Sequence, residues 1–76
     1  MPERTYKLID LVGVSDTSVE EAIHNAVTRA GQTLKGLHWF EVTQVRGLIR
    51  EGKISQFQVG LKVGFHLMSD AELKAD

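Results

Sequence analysis

Few side chains in this protein can do chemistry, and their types narrow what that chemistry could be. There is no cysteine, which removes thiolate metal sites, thiol nucleophiles and disulfides together. The three histidines stand at 24, 38 and 66. His24 falls on a helical stretch and reads as exposed. His38 and His66 are far apart, with no third ligand at a metal-binding spacing. No nucleophile with its base, acid–base pair or nicotinamide motif is found. Gly60 and Gly64 lie inside a strand-like run rather than before a helix, so they form no phosphate loop. Glu41 and Lys62 read as a plain cross-strand charge pair. What remains is Trp39, the only tryptophan, in the stretch LHWFEVTQVRG (37–47). An indole face can stack on another flat ring. Taken alone, such a tryptophan more often fills an interface than binds a ligand.

The elements that would position Trp39 can be read along the chain. YKLIDLVGVS (6–15) is rich in β-branched and aliphatic residues and predicts a strand. DTSVEEAIHNAVTRAGQTL (16–34) predicts a helix, because Val19, Ala22, Ile23, Ala26, Val27 and Ala30 recur three and four apart. Ser18 is the expected N-cap and Glu21 would complete a capping box, with Gly36 just past the helix end. Residues 37–50 and 53–67 predict two long strands joined by a two-residue turn at Glu51-Gly52. The tail, 68–76, is expected to fray. The order is β-α-β-β, an α+β fold in one domain spanning 1–76. In the last strand Phe57, Val59, Leu61, Val63, Phe65 and Leu67 alternate with polar residues and glycines, so the first set should face the helix. With no interior proline this strand suits the centre of the sheet, antiparallel to both neighbours.

With 76 residues the core is thin, and oligomerisation is the stabilising device left open to a cysteine-free chain. Nine Lys and Arg against ten Asp and Glu argue against nucleic acid as a partner. The N-terminus lacks an apolar signal segment and no run is long enough to span a membrane; a cytoplasmic protein is expected.

A two-residue turn pairs Arg50 with Lys53. Continued without interruption, that register sets Trp39 against Gly64, Glu41 against Lys62, Thr43 against Gly60 and Val45 against Gln58. Opposed residues share a face, so Trp39 falls on the polar face, away from the helix. Gln44 and Arg46 then fall on the helix side, beyond its end. Trp39 and Gln58 lie about 20 Å apart along the strands. A site made by both must lie between subunits.

WFEV followed by VRG, then FQV and VGF, with LVGVSDTSVEEAI before them, resembles the dodecin family from Tyr6 to Leu67. That resemblance implies a three-stranded antiparallel sheet partly wrapped around one helix. It also implies a hollow homododecamer that binds flavins in stacked pairs at interfaces and stores them without catalysis. By the same resemblance Trp39 is the stacking tryptophan and Gln58 the glutamine that contacts the ring. Arg46 matches a position near the flavin, although it would serve equally well as a subunit salt-bridge residue. His66 stands where several bacterial members carry arginine, and His38 where aspartate is common. Both enter the expected cofactor site, and both bear on which flavin is held: FMN ranks first, ahead of riboflavin and FAD. The stacked tryptophan would also quench the excited flavin.

Two other readings compete. One is a structural or interaction module, Trp39 filling an interface, whose oligomer takes another nucleotide-like ligand such as coenzyme A. The other is a small flavin enzyme, which the missing catalytic groups disfavour. Tyr6 is read first as an interface residue.

Overall fold

The computed structural model describes residues 4–67; the tail expected to fray lies outside the described residues. Four elements follow in the order β1 (Tyr6–Ser15), α1 (Val19–Gly31), β2 (Leu37–Arg50) and β3 (Lys53–His66). The sheet order is β1-β3-β2, with β3 antiparallel to both neighbours. This is the expected α+β, β-α-β-β arrangement. No helix among the described residues is long and apolar enough to cross a membrane.

The helix holds the whole apolar stripe from Val19 to Ala30 but is shorter than the expected 16–34. Asp16 and Thr17 stay outside it, and Ser18 caps it by accepting from the Glu21 N–H at 3.0 Å. The Glu21 carboxylate does not close the expected box. It turns instead to the hydroxyls of Ser15 and Thr17, while the Ser18 N–H donates to Ser15 Oγ at 3.3 Å. These bonds hold the end of β1 against the start of α1. Both hydroxyls stabilise the ionised carboxylate, Ser15 foremost, and so lower the Glu21 pKa. At the other end Gln32 is the C-cap and the last turn tightens, with Thr33 and Leu34 N–H groups both donating to Ala30 O. Gly36 is not the helix stop. At φ +79° it turns the chain into β2, and its carbonyl accepts from the His66 N–H at 2.9 Å.

The core is a layer of small residues against a layer of larger ones. Ala22, Ala26 and Ala30 lie buried on the inner stripe of α1. Below them lie Val59, Leu61 and Val63 of β3, flanked by Ile9, Leu11, Val19, Ile23, Val27 and Leu37. Alanine brings the helix backbone close to the sheet. At Gly13 of β1 an added Cβ would lie 2.0 Å from the Ala22 carbonyl oxygen, so that strand position must lack a side chain.

The helix packs on β1 and β3. Its thirteen residues rise about 20 Å, whereas the fourteen-residue strands β2 and β3 run about 47 Å. The hairpin therefore extends past the helix. Its turn takes positive φ at both central residues, Glu51 (53°) and Gly52 (77°), the primed geometry that matches strand twist. Along the overhang Val45, Ile49 and Ile54 are 56%, 76% and 64% exposed.

Candidate functional site

The register of β2 on β3 decides which side chains meet, and it is interrupted three times. Arg50 does pair with Lys53, and Ile49 with Ile54, but Leu48 then pairs with Gln56, leaving Ser55 as an extra residue. A second interruption, at Thr43, adds one residue to β2 and restores the original register, so that Trp39 does face Gly64. Between the two bulges the uninterrupted pairing fails. Gln58 faces Arg46 rather than Val45, and Gly60 faces Gln44 rather than Thr43. Gln44 and Arg46 thus join the face that carries Trp39, and Val45 moves to the helix side opposite Val59. A bulge lets one strand change face midway. Here it keeps Trp39, Glu41, Gln44 and Arg46 on one surface.

One end of that surface is aromatic. Gly64 has no side chain, and the Trp39 indole lies over it: a Cβ on Gly64 would sit 2.4 Å from Trp39 Cζ2. The space at Gly64 is therefore filled by the protein's own ring. Trp39 remains 41% exposed. Tyr6 of β1 meets it edge-on, with centroids 5.0 Å apart and planes at 63°. The third interruption leaves His38 as the extra residue between Leu37 and Trp39. It brings the His38 ring to 5.3 Å from Tyr6 and 5.8 Å from Trp39, with Nδ1 3.0 Å from the Tyr6 hydroxyl. His66, paired with Tyr6 across the ladder, has its ring 5.5 Å away. His38 and His66, distant in sequence, thus flank the same tyrosine. The sequence ranked Tyr6 as an interface residue and missed this cluster. No turn joins β1 to β3, so the sequence held no starting pair from which to count Tyr6 to within two positions of Gly64 on one face.

The other end is polar. Arg46 Nε donates to Gln58 Oε1 at 2.7 Å, and Gln58 Nε2 donates to Gln56 Oε1 at 2.9 Å. A longer contact of 3.4 Å runs from the Arg46 guanidinium to Gln44 Oε1. Gln58 is thereby held at both ends of its amide, yet it keeps one N–H and one carbonyl lone pair for another partner. Between the two ends, Lys62 bridges to Asp10 of β1 at 3.1 Å rather than to Glu41, its neighbour on β2.

The two ends stay apart. Gly64 and Gln58 are six positions apart on β3, or about 20 Å. The hollow beside His38, Trp39 and Phe40 measures about 140 Å³, below the roughly 300–1,000 Å³ of small-molecule pockets. The larger cleft, about 510 Å³, lies elsewhere, between β1 and α1. At Trp39 a single protomer presents a surface for a flat ring rather than a pocket. Among the described residues no three His, Asp or Glu side chains are gathered to hold a metal ion.

Fold and face together define a small sheet-and-helix protein with an exposed aromatic platform at one end and an ordered amide at the other. The dodecin family model matches residues 5–68. A dodecin from Thermus thermophilus is 47% identical over 64 residues, covering 84% of this chain and 93% of its own. The structure of dodecin from Streptomyces coelicolor superposes with a TM-score of 0.87 at 53% identity, covering 92% of this chain and all of that one. A calcium-chelating dodecin from Mycobacterium tuberculosis superposes with a TM-score of 0.74 at 31% identity, covering 87% of this chain and 94% of its own. The chain belongs to the dodecin family.

Proposed function

We propose that this protein binds flavin and stores it without turning it over. The flavin, FMN in the first place with riboflavin and FAD as its competitors, is held in stacked pairs between subunits of a cytoplasmic dodecameric shell. Trp39 stacks on the isoalloxazine and Gln58 from another subunit bonds its edge. Arg46 orients Gln58, and His38 and His66 lie beside the platform. Family membership supports this reading, and one observation carries it: a half-exposed indole already lies flat on the bare backbone of Gly64. A ring that stacks on it need not order it first, and aromatic stacking contributes about 0.5–1.5 kcal/mol beyond burial. The amide of Gln58 retains a donor and an acceptor, which suits the mixed edge of a flavin. The lack of a ligand-sized pocket around Trp39 in one protomer supports a shared site. Close stacking would also quench the excited flavin and limit its photochemistry.

The test is a fluorescence titration of riboflavin, and separately of FMN, with the purified protein and with Trp39→Ala. Strong quenching by the wild type, lost in the variant, is expected. No quenching of either flavin would refute flavin storage and leave Trp39 as an interface residue.

A further inference from the structure

Tyr6 and Trp39 belong to the two edge strands of the sheet, β1 and β2, with β3 between them. Adjacent strands are spaced about 4.8 Å apart, so β1 and β2 are separated by roughly 10 Å. Side chains on next-nearest strands do not ordinarily touch, because the central strand's own side chain stands between them. Here the ring centroids are 5.0 Å apart. The contact exists because the central residue opposite Trp39 is Gly64, whose missing side chain leaves a floor over which the indole lies. Across from Gly64 on β1 stands Leu8, and the phenol of Tyr6, two positions earlier on the same face, reaches the indole diagonally over that floor. It is fixed in turn by the hydrogen bond between its hydroxyl and His38 Nδ1, 3.0 Å. It also lies beside the His66 ring, its direct partner across the ladder.

We infer that Tyr6 is a positioning residue for Trp39. Its ring edge confines the indole flat on Gly64, and its hydroxyl, through His38, keeps that edge in place. An indole confined before the ligand arrives loses less freedom on stacking, which appears as affinity. The effect on affinity rests on the flavin reading above; the confinement of the indole does not. Tyr6 needs no contact with the flavin to act in this way.

Trp39 is the only tryptophan, so indole fluorescence reports this ring alone. Time-resolved anisotropy of the ligand-free protein should show a restricted indole in the wild type and a slightly freer one in Tyr6→Phe, which keeps the ring edge but loses the bond to His38. In Tyr6→Leu the indole should gain a fast, wide-angle motion. Flavin affinity should fall about three- to tenfold in Tyr6→Leu, the fold-change expected for ordering one further side chain, with most of it recovered in Tyr6→Phe. Gel filtration accompanies each variant. An indole as restricted in Tyr6→Leu as in the wild type would overturn the inference. So would loss of assembly in both Tyr6→Leu and Tyr6→Met, which would make Tyr6 an assembly residue. Should the wild type bind no flavin, flavin storage fails, and the anisotropy comparison alone still decides whether Tyr6 confines Trp39.

Discussion

At the scale of single residues, two positions without obvious chemistry matter as much as Trp39. Gly64 is the floor of the platform. In Gly64→Ala the new methyl would lie 2.4 Å from the indole. Relieving that overlap costs about 1–3 kcal/mol, so flavin affinity should fall about tenfold by titration, with a shifted indole emission in the ligand-free protein. Arg46 acts on Gln58. Removing its 2.7 Å hydrogen bond in Arg46→Ala should weaken flavin binding about two- to tenfold, the equivalent of a bond worth about 0.5–1.5 kcal/mol. Gel filtration separates this from the role the sequence left open: if Arg46 bridges subunits, the variant loses assembly instead. The face of Trp39 was legible in the sequence because the glycine-containing turn fixes one pair and the two bulges, at Ser55 and Thr43, cancel before Trp39 is reached. The company of Trp39 was not. Tyr6 lies more than thirty positions away, and its contact depends on an absent side chain in a third strand.

At the scale of elements, helix and sheet approach so closely that backbone sets the limit. Gly13→Ala would drive a methyl into the Ala22 carbonyl, which no rotamer change relieves. Chemical denaturation should show a loss of about 1–3 kcal/mol or more. The first turn of α1 carries a pH dependence. Glu21 titrates below its ordinary value in the folded chain because Ser15 and Thr17 donate to it. In the unfolded chain it returns to the ordinary glutamate value, so its contribution is present above that pH and is lost as pH falls through the lower folded value. Glu21→Gln should therefore melt earlier than the wild type at neutral pH, and the difference should shrink in acid, as followed by circular dichroism. Element boundaries were legible almost to the residue for the strands, because proline-free alternation and one turn fix them. The bulges were missed, although the sequence held their trace. Val42 and Val45 are three apart and not two, and uninterrupted pairing would have turned Gln44 and Arg46 toward the helix side. That conflict of parity was the signal of an inserted residue.

At the scale of the whole molecule, the hairpin that outruns its helix leaves apolar residues uncovered. Val45, Ile49 and Ile54 are more than half exposed, and such a surface calls for other copies of the chain. Val45→Asp should shift gel filtration from a large assembly toward single chains, while Trp39→Ala should leave the assembly in place. Binding to assembled chains alone would also make flavin raise the melting temperature with the logarithm of its concentration. The separation of the aromatic and amide ends along β3 has one more consequence. If the site is shared between subunits as proposed, each chain contributes the platform of one site and the clamp of another, and neither defect is confined to the copy that carries it. Trp39→Ala and Gln58→Ala homo-oligomers should both bind flavin poorly. Unfolded together and reassembled as a mixture, they should regain a fraction of wild-type sites, wherever an intact indole from one variant meets an intact amide from the other. Two broken proteins would complement each other, as two alleles do.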